Sequence, residues 1–373
     1  MSKPSSSRAR QSSPRSKHQK LILVGLALLL LFVAAWSLTS GAVETTASET
    51  LSAMRGSDDG AQAKMFEVVV REIRMPRVAA GILVGAALSI AGALLQGLFR
   101  NPLADPALIG VSSGAAIGGV TALILVPMGI AAVATSSWSP PDSVLHYINL
   151  FALPVCAMGC AIALTFAIYR ISLVGGRIHV PAMLLTGIAV NAIGGAVVGL
   201  MLTVFATDDQ MRSVTFWMLG SLSGSNWTST GLLALIIIPC LILALRYDKS
   251  LNSFLLGESE AFHLGVDVNR VRKAVIILSA LIVGVTVAFC GIIGFVGLVV
   301  PHMIRTLFGP DHRLLLPASA LFGGTILLAA DVFARTAVSP AELQIGILTS
   351  LLGGPFFLAL LLSSRKSGAS LVG

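Results

Sequence analysis

Residues 21–38 form an apolar run without a single charge. A helix of about 20 such residues crosses the hydrocarbon core of a bilayer. Runs of this kind recur along the chain, at about 21–38, 76–98, 107–128, 149–169, 181–205, 229–246, 273–290, 293–307, 314–332 and 342–363. Backbone polar groups find no water in hydrocarbon, so these runs must be helices. The expected fold class is therefore an all-α membrane protein, a polytopic bundle of ten transmembrane helices. Only 11% of the residues are charged and 55% are hydrophobic, whereas a soluble domain carries about 25% charged residues. The 373 residues leave no room for a soluble catalytic domain beside the spans. Residues 1–20, Ser-rich and basic, read as a disordered cytoplasmic tail. Residues 21–365 read as the membrane domain, with 252–270 as a loop inside it, and 366–373 as a short C-terminal tail. The run 21–38 also follows a basic segment, as a signal peptide would. Its length and lack of a small-residue cleavage site favour a retained first span.

The distribution of Lys and Arg orients the spans. With the N-terminus inside, 18 of the 25 basic residues fall in cytoplasmic segments. Both termini are then expected in the cytoplasm, and 252–270 lies inside as well. The net charge of +8 sits at membrane edges. No basic-aromatic stripe is present, so no nucleic-acid partner is expected. Cys156 and Cys160 stand one helical turn apart in an apolar span, yet no histidine or second cysteine pair accompanies them. They read as small packing residues, and no metal site is expected.

Segment 252–270 is a polar island between two apolar spans. Leu256, just before Gly257, and Ala261 and Leu264, between Gly257 and Gly265, fall at helical spacings, and Glu258 stands where an acid favours a helix start. A helix of two turns has little stability by itself. Either it docks a soluble partner or it is a surface connector. On the opposite side, Arg71, Arg74 and Arg77 cluster where basic residues should be scarce, and Arg335 is external too. Pro76 disturbs a regular helix through them. Arginine pairs with carboxylates in a bidentate fork, but it also snorkels to lipid phosphate. Asn191 is a lone amide in an apolar span. It faces either a water-filled pathway or a neighbouring helix as glue. Glu342 reads as an acid at a helix start, and Asp105 as a partner for Arg100.

The chain lacks a Gly-x-x-x-x-Gly-Lys-Ser/Thr phosphate loop, so it is not expected to hydrolyse ATP. It also lacks a Gly-x-Ser-x-Gly elbow and a His-Glu-x-x-His motif. Its spans lack the buried acid relay of a proton-coupled carrier, which argues against a secondary transporter.

Four stretches carry a family resemblance: Gly257-Glu258-x-x-Ala261-x-x-Leu264-Gly265, Gln96–Pro106 with Gly110–Gly114, Gly294–Arg305 with Gly309–Arg313, and Pro340–Thr349 with Gly353–Phe357. Together they resemble the permease subunits of iron-chelate, heme and cobalamin ABC importers, over roughly residues 65–365. The resemblance implies a type II ABC importer fold in a bacterial inner membrane. It implies a homodimer that works with two ATP-binding cassette subunits and a periplasmic substrate-binding protein. ATP and Mg would bind to the ATPase, and no cofactor to this chain. Arg74, Arg77 and Arg335 match arginines that receive glutamates of the binding protein. Gly257, Glu258, Ala261, Leu264 and Gly265 match the coupling loop that enters the ATPase. Val180 and Pro181 match the start of the gate helix, which also carries Asn191. In this resemblance His302 and His312 have structural or interface roles, not a heme-ligand role. The stretch Thr215–Leu222 looks most like the heme importers, so heme is the expected cargo, with ferric siderophore or cobalamin as alternatives.

Overall fold

The structure is a computed structural model that describes residues 14–41, 43, 45–56, 60–134, 141–175, 177–338 and 341–366. Most of the basic tail, the Trp138–Pro140 stretch and Pro340 lie outside the described residues. The helices, in chain order, are α1 (Pro14–Thr39), α2 (Ala47–Arg55), α3 (Ala61–Val68), α4 (Met75–Phe99), α5 (Val111–Val120), α6 (Val126–Ala134), α7 (Asp142–Ile171), α8 (Val180–Phe205), α9 (Asp208–Met218), α10 (Trp227–Leu245), α11 (Asp248–Phe254), α12 (Glu258–His263), α13 (Val268–Cys290), α14 (Val296–Phe308), α15 (His312–Thr336) and α16 (Ile345–Lys366). One antiparallel pair of two-residue strands, β1 (Leu173–Val174) and β2 (Arg177–Ile178), turns the chain between α7 and α8.

Among the described residues, eight helical segments are long and apolar enough to cross a membrane, and α14 and the apolar part of α16 are shorter. Helix α1 begins at Pro14, so residues 14–20 are helical, and its apolar candidate span is Lys17–Thr39.

Helix α4 is the hub, packed against α10, α13, α14 and α15. In its span 83% of the apolar window is buried, against 11% in α8. Its sequence explains the position. A Cβ at Gly85 would collide with the backbone of Gly323 in α15, and one at Gly92 with the carbonyl of Gly297 in α14. Small residues let helix backbones touch in lipid, where larger apolar side chains gain nothing over acyl chains.

The chain enters α4 through a π-helical turn, Val69–Arg74. Pro76 is the cause: it has no N–H to donate. The Met75 N–H reaches back five residues to Val70, which leaves the Arg71 carbonyl without a backbone donor. The indole Nε1 of Trp227 donates to that carbonyl at 2.8 Å. The Pro76 carbonyl accepts from the Thr230 hydroxyl at 3.2 Å. Thus α10 repairs what the proline removes, and the expected helix near 60–73 runs on into the second span.

Candidate functional sites at the two ends of the bundle

Arg77 lies near the start of α4, and Gly97 lies near its end. At about 1.5 Å per residue the two levels are about 30 Å apart. Helix α15 runs antiparallel beside it, with His312 at the Gly97 level and Asp331 at the Arg77 level.

At the Arg77 end, the structure brings Arg74, Arg77 and Arg335 together. All three are buried and hold partners within the chain. Arg77 Nε donates to Asp331 Oδ1 at 3.0 Å. Its two terminal nitrogens form a fork on Glu342, at 3.1 Å to Oε1 and 3.0 Å to Oε2. Arg335 stands 3.5 Å from Asp331 Oδ2, and it donates to the Ser37 carbonyl at 2.6 Å and the Ser40 carbonyl at 2.9 Å. Arg74 donates to the Leu38 carbonyl and the Thr45 hydroxyl, both at 2.7 Å, and to the Val43 carbonyl. The last carbonyls of a helix have no partner inside it and carry its negative pole. Arg74 and Arg335 therefore cap the end of α1 from outside. Arg71 stands apart, paired with Glu67 at 2.6 Å.

Two residues of this cluster were not legible as members of it. Glu342 is not at a helix start, because α16 begins at Ile345; the acid turns to Arg77 instead. Asp331 is fully buried. Its spacing of four from Arg335 was the available signal, since residues i and i+4 meet on a helix face.

At the other end, Gly257 and Gly265 have φ of +119° and +83°, in the left-handed region. They bracket α12. Ala261 faces the core and is fully buried. Glu258 pairs with the buried Arg272 of α13. Leu264 points outward at 62% exposure, and Leu256 and Phe262 do likewise at 66% and 68%. Phe262 went unnoticed in the sequence because it sits beside Ala261 and off the Leu256–Leu264 spacing. The loop is anchored through Asn252. Its Oδ1 accepts from the His312 backbone at 2.9 Å and from the His312 Nδ1 at 2.8 Å, and its Nδ2 donates to Asp311 at 2.8 Å. Gln19 of α1 donates to the same Asp311 at 3.3 Å. His312 is thus a structural link between the loop and α15.

Between the two ends, Asn191 accepts from the Ser113 hydroxyl at 2.7 Å and donates to the Ala107 carbonyl at 3.2 Å. These bonds tie α8 to the start of α5. Val180 opens α8, and Pro181 beside it is exposed. Asp105 does not reach Arg100. Its carboxylate accepts from the Ala107 N–H at 2.7 Å and caps a short 3₁₀ turn. Burial raises its pKa above the ordinary carboxylate range. An apolar cavity of about 620 Å³ lies between α14, α15 and α16, lined by Phe295, Val299, Met303, Phe333, Leu352 and Phe356. Among the described residues no cluster of His, Cys, Asp and Glu has the spacing of a metal site.

Residues 28–363 match the FecCD transport family. The chain is 44% identical to the hemin transport system permease protein of Yersinia pestis, over 79% of this chain and 83% of that one. It is 40% identical to a cobalamin import system permease of Halobacterium salinarum, over 79% and 73%. Among solved structures it resembles an ABC transporter assigned to the metal-chelate type, in an inward-facing conformation, with TM-score 0.74 and 31% identity over 92% of this chain and 99% of that one.

Proposed function

Because the chain belongs to the FecCD transport family, we propose that it is the permease subunit of an ATP-driven importer that carries heme from periplasm to cytoplasm. It spans a bacterial inner membrane ten times, eight times by its long helices and twice by α14 and α16, with both ends in the cytoplasm. The observation that carries the ABC reading is the group of exposed apolar side chains on and around the short helix α12: Phe262 within it, and Leu256 and Leu264 beside its two ends. Such a group at the end of a bundle suits burial in a protein cleft. The ATPase binds there through Gly257, Glu258, Ala261, Leu264 and Gly265, and it alone holds ATP and Mg. Its motion passes through Asn252 and His312 into α15, and the bundle alternates between outward and inward access. The gate lies near Val180 and Pro181.

Two copies form the pathway. In support, α8 and α16 both present rows of exposed apolar side chains, among them Leu185, Ile188, Leu351 and Leu352. A periplasmic binding protein docks on the face that holds Arg74, Arg77 and Arg335. Heme rests on the likeness to the hemin permease. Cobalamin is the second reading, on the likeness to the cobalamin permease, and a ferric siderophore is the third cargo of this architecture.

The test is uptake into proteoliposomes that hold this chain with its ATPase and binding protein, offered hemin, cobalamin or a ferric siderophore. ATP-dependent uptake of hemin alone supports the whole reading. Uptake of another cargo replaces the substrate and keeps the architecture. Uptake without ATPase would make the chain a stand-alone secondary transporter.

A further inference from the structure

Arg77 holds two carboxylates of different standing. Asp331 lies beneath it with its side chain 1% exposed. Glu342 lies outside it with its side chain 41% exposed, and it takes both terminal nitrogens of the guanidinium. That fork is the geometry in which arginine receives any incoming carboxylate. The cluster as a whole carries three guanidinium groups against the two carboxylates, because Arg74 meets only neutral oxygens. One positive charge is therefore unmatched, which draws an acidic surface toward it.

We propose that Glu342 occupies, from within the chain, the place on Arg77 that an acidic side chain of the binding protein takes on docking. The inference rests on the docking reading above. The exchange replaces one carboxylate by another on the same fork, so the charge around Arg77 stays constant while Glu342 moves into water. Its consequence is local. Leu343 remains held to the Ala334 carbonyl at 2.9 Å, Ile345 to that of Gly220 at 3.0 Å, and Gly346 to that of Leu219 at 3.0 Å. The released residues are Ala341 and Glu342, just ahead of Leu343. Docking would thus free these two residues while the start of α16 stays pinned. Glu342 becomes a residue that sets docking strength by competition.

The experiment uses the full permease–ATPase complex in nanodiscs, titrated with the binding protein. A second readout is the labelling rate of a cysteine placed at the exposed Ala341. Glu342→Gln should tighten docking about fivefold, the scale of one half-exposed ion pair. It should also raise labelling at position 341 before any binding protein is added, whereas in the wild type labelling rises only on docking. Glu342→Asp keeps the charge and should stay near wild type in both readouts. Unchanged or weaker docking by Glu342→Gln with unchanged labelling overturns the exchange. If Arg74→Gln or Arg77→Gln weakens docking in that case, the docking reading survives alone. If neither does, the docking reading fails too.

Discussion

The two ends of the bundle use opposite means. At the Arg77 end, buried guanidinium groups are held by partners within the chain, down to the fork on Glu342. At the α12 end, the large apolar side chains of Leu256, Phe262 and Leu264 are exposed on the chain's surface. A buried ion cluster resists loss of any member, because each deletion strands a charge in low dielectric. An exposed apolar face contributes little to the fold, yet it supplies most of the free energy of an interface once covered. At the Arg77 end a partner would have to displace contacts made within the chain, whereas the apolar side chains at the α12 end are open to a partner without any exchange.

The sharpest way to break this contrast is Asp331→Ala. It leaves Arg77 and Arg335 without their shared carboxylate, and the folded state should lose about 3–5 kcal/mol, read from thermal unfolding in detergent. The paired change at the other end, Phe262→Asp with Leu264→Asp, should leave the unfolding temperature near wild type. It should weaken co-purification of the ATPase at least about tenfold, as loss of interface anchors does. If the second variant unfolds and the first does not, the contrast is reversed.

A smaller effect tests the middle of the molecule. Asn191→Leu removes the bonds to Ser113 and Ala107 and should cost about 1–2 kcal/mol, while transport by the protein that folds stays near wild type. Strong loss of uptake with no loss of stability would move Asn191 to the pathway.

The smallest effect concerns Asp105, whose pKa is raised in the fold by burial. A raised carboxyl pKa means the folded state holds its proton more tightly than the unfolded state. The stabilisation is full below the unfolded value, about 3.9, and it is lost as pH rises through the folded value. Asp105→Asn keeps the cap on Ala107 without the charge. It should flatten that part of the stability–pH curve, measured by unfolding between acid and neutral pH. Asp105→Ala should instead lose about 1 kcal/mol for want of the cap.

How much of this was legible depends on the length scale of the physics. The spans follow from hydropathy, because the cost of polar backbone in lipid acts over whole segments. The short helix between Gly257 and Gly265 follows from local signals, two glycines and an acid. The π-helical turn before Pro76 was visible as a proline in an odd place, but its repair by Trp227 was not, because Trp227 and the Arg71 carbonyl it meets are 156 residues apart in the chain. The grouping of Arg74, Arg77 and Arg335 came from resemblance. Their contacts with Asp331, Glu342 and the end of α1 could not be read from spacing, since they are made by elements that meet only after folding. Asn191 left two readings open for the same reason: its partners lie 78 and 84 residues away.

The glycine seams of α4 carry one more consequence. Sliding α4 by one turn along α14 would bring Leu88 or Gln96 to the place of Gly92, against the Gly297 backbone. Either side chain would wedge the helices apart. The seam therefore works like a keyed shaft: α4, α14 and α15 can tilt as one body, but they cannot ratchet past each other. Any stroke delivered at α12 must reach the far end as rotation of that body or as bending of the less buried helices around it.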